Sequence, residues 1–354
     1  MPDGFANMLK KLFGKKPPRS VELLPGGVRY EVERNQTVLE SALQQGIAYP
    51  HDCTVGTCGT CRSRLVSGQV EAITPFGYTL SREELEQGYI LACQALAKSD
   101  LTIEVELEAA GLPQPRVVAA RLAETVDLTH DIKRVTWETG EPVHYRAGQY
   151  MNVAWPGSPG HRSYSFSAAP GEAGLTRLTS FIRKVPGGAF TELLFSGAAN
   201  DLDFTLDAPH GQFWLREAEG PILMVGGGSG LSPLMSVLED AAARGVARDV
   251  ILLFGARGVR DLYCQDEIAA LEARWPARFE YWPVLSEETA EGYRHGFVTA
   301  HVGAVLAQLG SGVTAYMCGP PAMIDTGVAA LSSLGIGLDA IHYDKFTDES
   351  TRAH

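Results

Sequence analysis

The chain has 354 residues, 45% of them hydrophobic, with 38 Gly, 20 Pro and six Cys. That length holds two or three domains with cores of their own, and six bunched cysteines in so long a chain point to a metal site in a reducing compartment, not a disulfide scaffold. A formal net charge of −12 argues against nucleic acid as the main partner, and no apolar run reaches the ~20 residues that span a bilayer.

The N-terminus departs from the acidic balance. Residues 1–20 carry Lys10, Lys11, Lys15, Lys16 and Arg19 against Asp3 alone, while Phe5, Met8, Leu9, Leu12 and Phe13 recur at helical spacing. For residues 1–19 we expect a basic amphipathic leader lying on an anionic membrane surface; a leader that packs on the protein or stays disordered is the competing expectation. Charge interrupts it too often for a signal peptide.

From Val21 the pattern gives a strand, a Pro25-Gly26-Gly27 turn and a second strand, Val28 to Val32. A helix near Val38 to Gln45 follows, then a cysteine-rich loop, a β segment from Ser63 to Ala72 and an alternating strand from Leu101 to Leu107. This is a small α+β unit over 20–110. Ala110 to Pro115 is a linker. Residues 115–217 show short β runs such as Tyr150 to Trp155 and Arg177 to Arg183 between Gly/Pro turns, the spacing of an antiparallel barrel. From Pro221 short apolar strands alternate with helices: Ile222 to Val225, a helix from Pro233 to Arg244, Val250 to Phe254 and Val313 to Cys318. That alternation implies a parallel sheet over 218–346, followed by a tail, 347–354.

The loop reads His51-Asp52-Cys53-Thr54-Val55-Gly56-Thr57-Cys58-Gly59-Thr60-Cys61, with Cys93 downstream. The spacing C-x4-C-x2-C…C is that of plant-type [2Fe–2S] ligands, so Cys53, Cys58, Cys61 and Cys93 are the metal-ligand set. A zinc ribbon would pair two short C-x2-C hooks, and the second is missing. A cluster of this kind passes single electrons and needs a donor.

Arg162-Ser163-Tyr164-Ser165 offers a phosphate fork, a flat aromatic face and hydroxyls for ring heteroatoms. Gly187-Gly188-Ala189-Phe190-Thr191 precedes a short helix whose N-terminal amides suit a pyrophosphate. Together they point to a flavin nucleotide. Gly226-Gly227-Gly228-Ser229-Gly230-Leu231 joins a strand to a helix and implies a second nucleotide site. As a dinucleotide fingerprint it is imperfect, because Leu231 stands where a last glycine belongs and no acidic residue ends the next strand, where Gly255-Ala256-Arg257 is found. Cys318-Gly319-Pro320-Pro321 follows the last long strand; Cys318 is either part of that site or an inert buried thiol. Cys264 has no motif around it.

Taken together these motifs resemble, over essentially the whole chain, the NADH-dependent ferredoxin/flavin reductase components of bacterial multicomponent oxygenases. Within that family Leu39-Glu40-Ser41-Ala42-Leu43, Pro50-His51-Asp52-Cys53 and Arg260-Asp261-Leu262-Tyr263-Cys264 are most similar to the xylene monooxygenase reductases. The resemblance implies a β-grasp ferredoxin domain, an antiparallel β-barrel FAD domain and an α/β NAD domain of ferredoxin reductase type. It implies FAD held by Arg162, Tyr164 and Ser165, with Gly187, Gly188 and Thr191 at the pyrophosphate. It places nicotinamide by Gly226, Gly228, Ser229, Gly230, Cys318 and Gly319, and puts Phe346 over the flavin's other face. Ser165, Cys318 and Phe346 are then the residues nearest the chemistry.

The mechanism expected is hydride transfer from NADH to FAD, then single electrons to the [2Fe–2S] cluster and on to a terminal oxygenase. That partner is expected to be a membrane di-iron hydroxylase. A cytochrome P450 is the competing expectation, because Lys345-Phe346-Thr347 resembles the reductases of P450 demethylases. A soluble oxygenase or a deoxysugar dehydratase would also suit such a reductase. A ferredoxin-like carrier with a vestigial flavin half would belong to a different functional class. NADH is expected over NADPH, because Gly255-Ala256-Arg257 lacks the serine that receives a 2′-phosphate, although Arg257 and Arg260 could accept one. A cytoplasmic monomer, peripheral at the inner membrane face through its leader, completes the expectation.

Overall fold

The computed structural model describes residues 18–51, 55–56, 59–107, 113–158 and 160–347. Residues 1–17 of the leader, Cys53, Cys58, part of the linker and the tail beyond Thr347 lie outside the described residues, and Arg19, expected in the leader, opens the first strand. The chain divides into two compact units, Met1–Ala110 and Gly111–His354.

In the first unit β1 (Arg19–Leu24) and β2 (Val28–Val32) form the expected hairpin. Helix α1 (Val38–Gln44) starts at a capping box: Thr37 Oγ1 accepts from Glu40 N at 3.1 Å while Thr37 N donates to the Glu40 carboxylate at 2.9 Å. The β segment expected over Ser63–Ala72 is broken by Gly68 into β3 (Arg62–Ser67) and β4 (Val70–Ala72). The strands β5 (Tyr89–Leu91), β6 (Ala95–Ala97) and β7 (Leu101–Glu104) follow, with a short helix α2 (Arg82–Glu86) before β5. The main sheet runs β2-β1-β7-β3-β5, with β1 and β7 parallel and the other pairs antiparallel. Val38, Leu39 and Ala42 of α1 pack into the same core as Val21, Leu23 and Ile103 of the sheet. This is the β-grasp arrangement.

The second unit opens with a curled antiparallel sheet of β8 (Arg116–Asp127), β9 (Ile132–Val143), β10 (Tyr150–Ala154), β11 (Arg162–Ser165), β12 (Leu175–Arg183) and β13 (Asp203–His210). Its order is β11-β10-β13-β8-β9-β12, leaving β11 and β12 as the two edges. The edges meet just past β11, where Ser167 N donates to Thr179 O at 2.8 Å and the two side-chain hydroxyls bond at 2.8 Å. Trp137, Phe190 and Phe204 fill the interior, Phe190 coming from helix α3 (Ala189–Ser196).

The parallel lobe holds β14 (Ile222–Gly227), β15 (Val250–Ala256), β16 (Phe279–Leu285), β17 (Arg294–His295), β18 (Thr314–Gly319) and β19 (Ile341–Lys345) in the order β17-β16-β15-β14-β18-β19. Helix α4 (Leu231–Ala243) begins two residues before the expected Pro233; α5 (Gln265–Arg274), α6 (Val302–Leu309) and α7 (Pro321–Ser333) complete the lobe. The chain leaves β14 for β15 on one side and returns as β18 on the other, so a crevice opens at the carboxyl end of β14. Phe181, Phe213 and Leu215 of the barrel share one core with Leu234, Val237 and Leu238 of α4, so the two lobes of this unit are packed together.

Candidate functional site

Of the four expected cluster ligands, Cys61 and Cys93 are described. Both are buried, and Cys93 N donates to Cys61 Sγ at 3.4 Å. Cys61 immediately precedes β3 and Cys93 follows β5 by two residues, adjacent strands in register Arg62↔Leu91. Gln94 donates its side-chain amide to Cys93 O at 3.0 Å and approaches Cys93 Sγ at 3.8 Å. Gly56 has φ +83, and a Cβ there would lie 2.6 Å from Gln94 Cγ, so the loop backbone closes tightly over this side. Thr79 Oγ1 ties down Gly56 O at 2.5 Å. Buried, neighbouring thiols under a tightly closed loop backbone fit an iron–sulfur cluster.

Next to Cys61, Arg62 pairs with Glu84, which is fully buried and also closes the capping box of α2 through Ser81 N at 2.7 Å. Fully buried Tyr49 hydrogen-bonds Ser63 at 2.6 Å, and Ser63 Oγ donates to Cys61 O at 3.1 Å. Burial pushes the Tyr49 phenol well up, more than the Ser63 bond pulls it down, so it stays neutral.

In the barrel, Arg162 and Tyr164 alternate onto one face of β11, and Tyr164 lies 5.6 Å from the Phe190 ring of α3. That contact brings the expected flavin residues of β11 beside the Gly187–Thr191 turn. Burial raises the Tyr164 phenol, with Arg162 opposing it. Ser163 is exposed and donates to Asn152 at 2.7 Å, on the opposite face from Arg162 and Tyr164. The amides of the turn differ from expectation in detail. Gly187 N donates to the Glu192 carboxylate at 3.2 Å and Gly188 N to Val185 O at 2.9 Å. The Thr191 hydroxyl accepts from Val185 N at 3.1 Å and donates to Val185 O at 2.9 Å. Helix geometry therefore leaves the amides of Ala189, Phe190 and Thr191 for a phosphate, since Glu192 N already donates to Gly188 O at 3.0 Å, while the Thr191 hydroxyl shapes the turn.

In the crevice, Gly226 and Cys318 face each other across β14 and β18. The glycines of this turn have two jobs, not the single one of close approach to phosphate. A Cβ on Gly230 would sit 2.1 Å from Cys318 O, so this residue seats the helix start on β18. Gly228, at φ +56, is half-buried and takes the outward position beside Ser229, with Arg183 at 3.7 Å from where a Cβ would be. Cys318 is fully buried; burial, reinforced by Asp344, pushes its thiol well up, so it stays a neutral thiol. Phe346 N donates to Gly319 O at 2.9 Å, which places Phe346 next to the Cys318-Gly319 turn. Cys264 is buried at the start of α5, its thiol raised to about 12 by burial and Glu267 against the pull of Arg134.

Several residues were not legible as site residues. Ser232 Oγ donates to Ser165 O at 2.9 Å and accepts from Phe181 N at 3.2 Å, and Ser236 Oγ donates to Ala168 O at 2.6 Å. Their i, i+4 spacing on α4 was the available signal. Tyr263 donates to Gly228 O at 2.8 Å from the Asp261-Leu262-Tyr263 stretch. Arg257 does not stand free: its Nη2 donates to Asp131 at 2.9 Å and to Asp261 at 3.1 Å.

Three family models match in chain order: the 2Fe-2S iron-sulfur cluster binding domain at residues 21–98, the oxidoreductase FAD-binding domain at 119–214 and the oxidoreductase NAD-binding domain at 224–328. The xylene/toluene monooxygenase electron transfer component XylA of Pseudomonas putida is 40% identical over 345 residues, 97% of each chain. The chain belongs to the reductase components of oxygenase systems. The aromatic O-demethylase reductase subunit of Amycolatopsis is 37% identical, covering 92% of this chain and 98% of its own. The crystal structure of Amycolatopsis cytochrome P450 reductase GcoB superposes with a TM-score of 0.69 at 36% identity, covering 93% and 99% of the two chains. The reductase is thus an iron–sulfur flavoprotein that passes electrons from NADH through FAD and a [2Fe–2S] cluster to an oxygenase. Among the described residues, no helix is long and apolar enough to cross a membrane.

Proposed function

We propose that the reductase serves a membrane-embedded di-iron hydroxylase of the xylene monooxygenase type, in aromatic hydrocarbon oxidation, and works as a monomer. The observation that carries this is the near-full-length likeness to the xylene/toluene component. Cys53, Cys58, Cys61 and Cys93 hold the cluster. Arg162 and the amides of Ala189, Phe190 and Thr191 hold the flavin phosphates, with Tyr164 and Ser165 at its ring. Gly228, Ser229 and the Cys318-Gly319 turn orient the nicotinamide, and Phe346 covers the flavin's other face. When bound, the flavin takes two electrons as a hydride and gives them up singly to the cluster. The protein's part is to place these groups and exclude water around them.

The leader holds the reductase at the inner face of the membrane, near such a partner. A second reading, a cytochrome P450 demethylase as partner, is favoured by the likeness to the O-demethylase subunit and by Lys345-Phe346-Thr347. The test combines the purified reductase and NADH with membranes carrying a di-iron aromatic hydroxylase or with a soluble P450 demethylase, and measures product formed per NADH consumed. Tight coupling with the membrane enzyme is expected, weakened in a chain shortened to begin at Val21. Coupling with the P450 alone would replace the first reading by the second.

A further inference from the structure

Dinucleotide sites of this topology choose between NADH and NADPH at the carboxyl end of the strand after the glycine turn. An acidic side chain there binds the adenosine ribose hydroxyls, and an arginine there accepts a 2′-phosphate. In this chain that strand is β15, and the residue following its last member, Ala256, is Arg257. By that rule Arg257 could accept a 2′-phosphate, although the stretch lacks the serine that would share it.

The structure surrounds that arginine with acid from two other places. Asp261 comes from the next turn of the same lobe, where its second carboxylate oxygen also accepts from Gly258 N at 3.0 Å. Asp131 comes from the barrel, on the turn between β8 and β9. Thr129 orients it by donating to Oδ1 at 3.0 Å, and its Oδ2 accepts from Arg183 Nε at 3.1 Å and from Arg257 Nη2 at 2.9 Å. Burial alone would raise the Asp131 carboxyl, but the Thr129 bond and the two guanidiniums outweigh it and hold it below the ordinary range, so it is ionised. The same Arg183 lies beside Gly228, so the network runs without a break from the glycine turn to the end of β15. Around it, His130 lies 3.5 Å from Asp261, Glu288 accepts from Val259 N at 2.8 Å, and Arg260 is exposed on the same turn.

We propose that Asp131, contributed by the flavin barrel to the far end of the nicotinamide lobe, is a specificity-determining residue for NADH over NADPH. With Asp261 it engages Nη2 of Arg257, so the two arginines and two carboxylates balance in charge. A 2′-phosphate then approaches a guanidinium already paired and is repelled by two carboxylates, while a ribose hydroxyl finds an acceptor in place. The acid absent from the strand end in sequence is supplied through space. This rests on the lobe binding NADH, as the family does.

The test uses the full-length, FAD-loaded reductase and measures NAD⁺ and NADP⁺ binding by calorimetry, together with flavin reduction by NADH and NADPH. Replacing one partner of a charge-assisted bond changes affinity by about tenfold or more, so Asp131→Asn should raise the NADP⁺-to-NAD⁺ affinity ratio by about that factor. Adding Arg257→Ala to it should abolish the gain, and Asp261→Asn should release the same guanidinium from the other side if Asp131→Asn loses flavin. An unchanged ratio in both single variants, or a gain that survives Arg257→Ala, overturns the proposal while leaving NADH oxidation intact. Absence of nucleotide binding and of flavin reduction in the unaltered protein overturns the functional reading beneath it.

Discussion

The iron–sulfur unit and the flavin–nicotinamide unit build their sites in opposite ways. In the first, three candidate ligands lie on one loop and the fourth comes just past the neighbouring strand β5, so one loop carries most of the ligand set. In the second, the candidate residues are spread over β11, the α3 turn, the β14 glycine turn, the end of β18 and Phe346, elements of two lobes that share a core. A local site depends on its own spacing. A distributed one depends on every contact that fixes one element against another, and it exposes new points of failure that no motif marks.

The largest expected effect cuts one unit away from the other. A hydroxyl is a poorer iron ligand than a thiolate, so Cys93→Ser should remove the cluster. NADH-driven reduction of cytochrome c should fall to background, while reduction of ferricyanide, which draws on flavin directly, should stay near the unaltered level. Arg162→Ala is the mirror image, lowering both activities through lost flavin. If Cys93→Ser abolishes both in a folded, flavin-loaded protein, electrons do not run linearly from flavin to cluster.

A smaller effect sharpens the same contrast in stability. Glu84 has no exposure, pairs with Arg62 directly beside Cys61 and caps α2. Removing one member of a buried ion pair costs about 3 kcal/mol, so Glu84→Ala should lower the urea midpoint for loss of cluster absorbance. The midpoint for flavin release should not move, since Glu84 belongs to the other compact unit. A joint shift of both transitions would mean that the units unfold as one.

These contrasts also explain what could be seen in the sequence. The cysteine spacing, the alternation of β11, and the strand–glycine–helix run at β14 are local patterns, and the fold class followed from them. Boundaries slipped where tertiary contacts decide. The strand expected through Ser63–Ala72 breaks at Gly68, which has φ +101 and lies against Asp100 O, a contact with a distant segment. The glycines at Gly226–Gly230 looked like phosphate ligands alike, but Gly230 is required by the Cys318 carbonyl on another strand. Arg257 looked free because its partner, Asp131, lies in a different lobe, and no periodicity links the two. The Thr191 hydroxyl bonds Val185 six residues back, a turn contact that no motif marks.

The smallest effect tests whether one such contact governs the chemistry. The edges β11 and β12 of the curled sheet meet at Ser167 and Thr179, and Ser232 of α4 bridges them one pair further along. Its hydroxyl donates to Ser165 O on one edge and accepts from Phe181 N on the other, standing in for a missing ladder bond. Because Ser232 follows the glycine turn by two residues, the same hydroxyl ties the flavin strand to the nicotinamide lobe. Ser232→Ala leaves a buried carbonyl and a buried N–H without this partner, which costs about 1–3 kcal/mol. Thr, which keeps the hydroxyl, should restore most of it. If the bond only stabilises the fold, Ser232→Ala will lower the melting temperature and leave hydride transfer from bound NADH unchanged. If it sets the spacing of flavin to nicotinamide, the rate of flavin reduction at saturating NADH will fall several-fold while NADH affinity holds, and the flavin absorption band will shift with its surroundings. We expect the second outcome, because the carbonyl it holds belongs to Ser165, the last residue of the strand on which the flavin is expected to rest.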